Sequence, residues 1–138
     1  MNPLPMASAI VAWFSQHAIV HPLLESIASN VFVQRVPQHV ILPYLQLSMG
    51  QADQLSYVTQ STDTAVQMQI TLVGSLTEGA ALLSDMHEAM ITLMDQKQLV
   101  LQDQNGQRLL QCWLERIKDI DIEHDRIKLT SVWQLRCV

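Results

Sequence analysis

The chain has 138 residues and a formal net charge of −5; 49% of its residues are hydrophobic and 15% are charged. This length predicts one domain over residues 1–138 with one sizeable core, and the composition excludes a disordered chain. No apolar run reaches the roughly 18 residues of a membrane span, and no basic cluster alternates with aromatic residues. We therefore expect no membrane insertion and no sequence-specific nucleic-acid partner. No Lys or Arg precedes the apolar N-terminal segment, which argues against a signal peptide and predicts an intracellular protein.

The first 30 residues predict two helices. Residues 5–17 carry apolar side chains at helical spacing, within an N-terminal helical extension of residues 1–20. Pro22 suits the first turn of a second, short helix from Leu23 to Ser29. Asn30 is well placed to end that helix in a left-handed conformation.

Two prolines then mark the irregular start of a strand. Pro37 and Pro43 have no backbone N–H to donate, so neither fits a central strand, and they predict a strand that begins near Tyr44. Residues 49–62 are polar and lack periodicity, which predicts a long loop or a loose hairpin tip. Strict alternation of apolar and polar residues over 64–73 predicts a half-buried strand.

A helix is predicted over about residues 76–95. Ser75 and Glu78 have the spacing of a capping box, in which the serine hydroxyl accepts from the backbone of the glutamate. One helical stripe collects the apolar side chains, which predicts the face that packs on the sheet: Leu82, Leu83, Met86, Met90, Leu93 and Met94.

Strands are predicted at 98–102, 108–118 and 126–137, with Asn105–Gly106 as a tight turn between the first two. The connection 119–125 is acidic and is expected to be a solvated loop. The order of elements predicts an α+β domain. Its antiparallel or mixed β-sheet is packed on one face by the central helix and the N-terminal helices.

No catalytic pattern stands out. His17 and His21 are four residues apart but lack a third ligand, and His87-Glu88 begins like a zinc-protease helix whose second histidine is replaced by Ile91. Cys112 and Cys137 are too few for a disulfide framework and are expected to be free. We expect no metal, no cofactor and no enzymatic activity.

The succession of elements resembles a known family over residues 20–138. Short helices are followed by Val36-Pro37 and Leu42-Pro43-Tyr44, by the alternating strand, by the helix near Ser75 and by a final strand from Arg126 to Arg136. This series is similar to the tail completion, or tail terminator, proteins of tailed bacteriophages and of phage-like gene transfer particles.

The resemblance implies a structural role in virion assembly. Such proteins form a ring, typically a hexamer, at the head-proximal end of the tail tube, where they stop tail polymerisation and provide the head–tail joining surface. The implied partners are other copies of this chain, the tail tube protein and the head–tail connector protein. The implied locations are the host cytoplasm during assembly and then the tail or neck of the particle.

A closed ring needs two different surface patches on each subunit. The polar 49–62 segment and the acidic 119–125 connection, with the basic residues that follow it, are the predicted contact regions for neighbouring subunits or the tube. The candidate residues are Gln51, Asp53, Tyr57, Asp119, Asp121, Glu123, Asp125, Arg126 and Lys128.

Two other functions remain open from the sequence. One is another neck or baseplate adaptor, or a connector, of the same particles, because small α+β domains are reused there. The other is a small-molecule-binding or enzymatic α+β domain, which would require a pocket with convergent polar groups.

Overall fold

The structure is a computed structural model that describes residues 4–50, 65–103 and 106–137. These ranges contain two α-helices and six strands, with 3₁₀ turns at Glu25–Ile27 and Leu76–Glu78. In chain order the elements are α1 (Leu4–Ala18), β1 (Val31–Val33), β2 (Tyr44–Met49), β3 (Ala65–Ser75), α2 (Ala80–Met94), β4 (Lys97–Asp103), β5 (Gly106–Glu123) and β6 (Arg126–Cys137).

The six strands form one sheet in the order β1-β2-β3-β6-β5-β4. Strands β1 and β2 pair in parallel and the other neighbours are antiparallel, so the sheet is mixed. Both helices contribute to a core on one face of the curled sheet, and the predicted α+β class is confirmed.

Alternation along β3 and β6 builds the centre of this core. On β3 the predicted inward side chains are buried, as are the odd-numbered residues of β6 that lie beside them. Phe14 of α1 and Met90 of α2 cover them, each at most 2% exposed. Most of the predicted apolar stripe of α2 is buried, but Leu82 is 41% exposed, and the buried set includes a histidine that the stripe did not contain, His87.

The start of β2 is as predicted, and the chain before it is held by a side chain. The strand begins at Tyr44, directly after Pro43. Asn30 does not have the left-handed conformation expected of it. Its amide nitrogen instead donates to the carbonyl oxygens of Ile41, at 2.6 Å, and Pro43, at 2.8 Å, and so fastens the irregular segment to the end of the preceding turn.

The central helix starts later than predicted. Ser75 does accept a backbone hydrogen bond, but from Thr77, and a 3₁₀ turn precedes a helix that begins only at Ala80. Gly79 has φ = 100°, which interrupts the helical path between the two. The Leu76 N–H donates to the Asp125 carbonyl oxygen at 2.9 Å, so this turn is tied to the hairpin of β5 and β6.

The expectation that 119–125 is a solvated loop is wrong. Strand β5 continues to Glu123, and the connection is a two-residue turn, His124–Asp125. Both turn residues have positive φ, 47° and 64°, which is the geometry of a two-residue hairpin turn. The acidic residues misled the interpretation because they lie on an exposed strand rather than in a loop.

Two other predictions fall largely outside the described ranges. Strand β2 takes up Met49, and the Gly50 N–H donates to the Gln67 carbonyl oxygen at 2.6 Å, but the remainder of the predicted 49–62 loop is not described. Asn105 is likewise outside them, while strands β4 and β5 on either side pair as expected for a tight turn.

Helix α2 packs directly on the backbone of β3 at Gly74. A Cβ atom at this position would lie 2.1 Å from Leu83 Cδ2 and 2.9 Å from Leu83 Cγ, so the substitution Gly74→Ala forces the helix away or the leucine off its rotamer. We expect a loss of about 1–3 kcal/mol in the free energy of unfolding, measured by urea denaturation.

The double variant Gly74→Ala/Leu83→Ala provides the control. If the contact with Leu83 is the cause, adding Gly74→Ala to Leu83→Ala should cost much less than adding it to the natural chain. Equal costs in the two backgrounds would contradict this explanation.

Candidate functional surface

The predicted contact residues divide into two groups, of which the structure describes one. Gln51, Asp53 and Tyr57 lie outside the described residues, so their relation to the second group stays a prediction. The second group lies on the β5–β6 hairpin. Asp119 belongs to β5 by its backbone, although the position of its side chain is not described.

Charged side chains of opposite sign face each other across this hairpin. Asp121 pairs with Lys128, and Glu123 pairs with Arg126, one step from the turn at Asp125. Within the described residues neither of these two pairs is close enough for an ion pair, and the carboxylate of Glu123 lies 3.8 Å from His124 Nε2 on the exposed turn. The sequence therefore located a charged, exposed surface, but assigned it to a loop instead of a strand pair.

The hairpin also carries apolar residues that sequence reasoning did not identify as a surface. Ile117, Ile120 and Ile122 of β5 are 57%, 64% and 61% exposed. They pair with Ser131, Leu129 and Ile127 of β6, and these partners are buried in the core. The three isoleucines therefore lie on the core face of the sheet, beyond the area that the helices cover.

A bulge between Ile117 and Ile120 brings these isoleucines onto one face, and an earlier bulge keeps that face the same as the face of Leu114. The register of β5 against β6 shifts between Leu114 and Arg116 and again between Ile117 and Ile120. Each bulge inserts an extra residue, so apolar residues spaced by three in the sequence still point the same way. The only signal in the sequence is the repeated isoleucine itself, because a bulge leaves no mark in a search for strict alternation.

The opposite face of the sheet is rich in amides and hydroxyls. Both helices lie on the core face, and the central positions of the other face in β2, β3 and β6 include Gln46, Gln69, Thr71, Thr130 and Gln134, all half-buried. The hydroxyls of Thr71 and Thr130 are 3.2 Å apart, a cross-strand hydrogen bond.

The histidines do not assemble a metal site. The ring of His17 stacks on Trp13 with centroids 4.1 Å apart, and its Nδ1 lies 2.8 Å from the Trp13 carbonyl oxygen, to which it donates. His21 Nδ1 accepts from the Leu23 N–H at 3.2 Å. In the described part of the chain no three His, Cys, Asp or Glu residues lie close enough to hold a metal ion.

An open groove of about 500 Å³ runs between the segment after α1 and helix α2. Its polar lining includes His21, Asp85, Glu88 and Lys97. The two carboxylates belong to exposed residues one turn apart on α2. The groove does not bring together the convergent buried polar groups that a small-molecule site or an active site requires.

Two titratable groups are instead buried in the core. His87 is 6% exposed, and among the described residues its Nε2 has no hydrogen-bond partner. Burial lowers the pKa of its imidazole. Cys112 is a free thiol with no exposed surface. Burial first, and then the nearby Asp95 carboxylate, raise the pKa of Cys112 to about 12.

Comparison with known proteins shows similarity at the level of the fold. No protein-family model and no curated protein matches the chain. A chain of the solved virion of a native gene transfer agent particle is similar with a TM-score of 0.63 and 18% identity, over 95% of this chain and 96% of that one. A second solved chain is similar with the same TM-score of 0.63 and 11% identity, over 100% of this chain and 96% of that one.

The coverage extends over essentially the whole of each chain, so the similarity concerns the complete domain and not a shared supersecondary unit. No helix in residues 4–50, 65–103 or 106–137 has the length and apolar character needed to cross a bilayer.

The buried His87 predicts a stability that falls in acid. Since its pKa is lower in the folded chain than the ordinary value near 6.5, the unfolded chain binds the proton first. The stability that the neutral imidazole of His87 contributes is fully present above the ordinary pKa near 6.5. It is lost as the pH falls from that value towards the pKa of the folded chain, by up to about 1.4 kcal/mol per pH unit. Urea denaturation between about pH 7.5 and pH 5 measures the loss.

His87→Leu removes both the titration and the unpaired Nε2, so we expect a flatter pH profile for this variant than for the natural chain. His39→Leu, at an exposed histidine, is the matched control and should leave the slope unchanged. Identical slopes for the natural chain and His87→Leu would contradict the assignment.

Cys112 is expected to be inert towards thiol reagents in the folded state. The thiolate is the reactive form, and the raised pKa keeps the group a thiol, while burial keeps the reagent from reaching the sulfur. In a Cys137→Ser background, labelling by a disulfide reagent at pH 8 should follow unfolding, and urea should accelerate it to the rate of a free thiol. Rapid labelling without denaturant would show that the thiol is accessible.

Proposed function

We propose that this chain is a structural protein of a phage or phage-like particle. It forms a ring, a hexamer in our proposal, at the head-proximal end of the tail tube, ends tail polymerisation and provides the head–tail joining surface. The observation that carries the proposal is the similarity of the whole domain to a chain of a gene transfer agent virion. The order of elements that resembles tail terminator proteins in the sequence supports the finer assignment.

The described surface fits an assembly role better than a catalytic one. The groove between the segment after α1 and helix α2 is open and lacks convergent buried polar groups, while exposed apolar and charged residues are concentrated on a strand pair. Large apolar side chains are also exposed outside that hairpin, among them Val20 at 81% and Ile41 at 82%. Exposed apolar residues of this kind mark interaction sites when they form patches.

A ring requires that one patch of each subunit meet a different patch of its neighbour. Ile41 precedes β2, beside the β1 edge of the sheet, whereas the β5–β6 hairpin belongs to the other half of the strand order. We propose that contacts within the ring and with the tail tube protein involve the hairpin, including Asp121, Glu123 and Lys128, together with the segment that carries Gln51, Asp53 and Tyr57. The head–tail connector protein would bind the exposed face of the ring.

The test is assembly on tail tubes. Purified chain mixed with tubes assembled from the tail tube protein of the same particle should form a ring at one tube end, visible by negative-stain electron microscopy, and should stop further tube growth. Charge reversal at the hairpin, Asp121→Lys with Glu123→Lys, should reduce occupancy of the tube ends. Arg35→Asp, a charge reversal at an exposed residue outside the proposed contacts, is the control.

Tubes that keep growing with bare ends would overturn the terminator function. Rings that bind the isolated head–tail connector protein but never the tube would identify the chain as a neck adaptor instead.

A further inference from the structure

One edge of strand β5 is open over half of its length. Strand β4 begins at Lys97, which pairs with Cys112, and the structure places no strand beside β5 beyond that point within the ranges it describes. The Leu114 N–H is satisfied by Asp95 Oδ1 at 2.8 Å, directly after the end of the ladder. From residue 115 to Glu123 the strand is paired with β6 on one side only.

This open stretch has an apolar face and a charged face. Ile117, Ile120 and Ile122 continue the core row of the strand into solvent. Asp121 and Glu123 pair with Lys128 and Arg126, whose side chains alternate with the buried residues of β6, so they lie on the opposite face.

Four charged residues of this stretch, two basic and two acidic, are placed so that two copies of the strand running antiparallel bring opposite charges together. Arg116-Ile117-Lys118 reads basic, apolar, basic, and Asp121-Ile122-Glu123 reads acidic, apolar, acidic. When two such strands run antiparallel with Lys118 opposite Asp121, Arg116 falls opposite Glu123 and Ile117 opposite Ile122. Two-fold symmetry produces each of these pairs twice.

We propose that a second copy of this chain covers this edge, with the two β5 strands antiparallel about a two-fold axis, so that Lys118 of each copy lies opposite Asp121 of the other. The apolar faces of the two strands then form one continuous surface, on which the Ile117 and Ile122 pairs shield each other from water. On the other face, Asp121 lies between Lys128 of its own hairpin and Lys118 of the second copy, and charges of opposite sign alternate across three strands.

The register distinguishes this partner from an arbitrary strand. A shift by one residue in either direction places Lys118 opposite Ile120 or Ile122 and leaves a basic side chain against an isoleucine. Exposed charges and bulges on an edge strand discourage unselective pairing. A second copy supplies complementary charges opposite Arg116, Lys118, Asp121 and Glu123, and it supplies an isoleucine opposite Ile117 and Ile122.

The pair is a distinct contact from that of a ring. A two-fold contact closes after two subunits, whereas a ring is built from head-to-tail contacts. The dimer covers part of the hairpin that the proposed ring uses, so one hairpin cannot make both contacts at once. We expect the dimer to be the state of the chain in the absence of tail tubes. A contact made by one strand of each copy is small, so we expect a dissociation constant in the micromolar range, roughly 1–100 µM.

The experiment uses the full chain in solution without tail tubes. Sedimentation velocity over three decades of concentration around 10 µM should show a monomer–dimer equilibrium. Lys118→Asp and Asp121→Lys should each weaken the dimer by about tenfold or more, since each places like charges opposite one another at two symmetric positions. Arg35→Asp has the same charge change as Lys118→Asp at an exposed residue outside β5 and should have no effect.

Mixing the two weakened variants is the decisive measurement. In a heterodimer of Lys118→Asp with Asp121→Lys, an acid meets a base at both positions, so the mixture should dimerise although neither variant does so alone. Ile122→Asp should also weaken the dimer, whereas Val100→Asp, at an apolar residue of β4 that is 53% exposed, should not. Urea midpoints near that of the natural chain show that each variant is folded.

The proposed dimer is refuted if the chain is monomeric at all concentrations or if these substitutions do not weaken the dimer. It is also refuted if the mixture of the two variants does not dimerise. A free hexamer also overturns it and leaves the proposed ring standing. Absence of rings on tail tubes refutes the ring without affecting the dimer measurement.

Discussion

The antiparallel pairing of β3 with β6 is the constraint on which the rest of the structure depends. It extends over the full length of β3, from Ala65 opposite Arg136 to Ser75 opposite Arg126, at the centre of the sheet. One face of both strands is buried, and a slip of one residue would expose that entire set, so the register is strongly determined. The same pairing places Gly74 where Leu83 of α2 must approach the backbone, and it holds the base of the β5–β6 hairpin. Helix position and hairpin orientation therefore follow from one ladder.

The sequence predicted the elements whose local pattern agrees with their surroundings. Alternation of apolar and polar residues marks β3 and most of β6 because one face of each strand lies in the core, and Pro43 marks the start of β2 because it cannot donate to the ladder. Prediction failed where a single backbone feature overrides the pattern. Gly79, with φ = 100°, delays α2 despite a capping-box sequence before it. Asn30 uses its side chain to hold two distant carbonyl groups, a role that depends on long-range contacts that sequence spacing does not show.

The candidate surface was predictable only in its charges. Acidic residues followed by basic ones are visible in the sequence, but whether they form a loop or a strand depends on β6, which supplies a partner at each step from Ile120 to Glu123. The exposed isoleucines were missed because the bulge between Ile117 and Ile120, and not a two-residue period, places them on one face. Bulges are set by the cost of burying or exposing side chains across the whole sheet, and that cost is known only once the neighbouring strands are in place.

The properties of β5 explain how such an edge avoids unselective association. A long strand with exposed isoleucines and an unpaired backbone edge is the kind of surface on which chains aggregate. In this chain the isoleucines are separated by charged residues, with the bases Arg116 and Lys118 before the centre of the stretch and the acids Asp121 and Glu123 after it. Parallel stacking of copies brings like charges together at each step, and antiparallel stacking is favourable in one register only. A two-fold contact in that register leaves no free copy of the same edge, so association stops at two subunits instead of continuing into a fibre. The order of charges along β5 thus permits two copies to pair and prevents further copies from adding to the same edge.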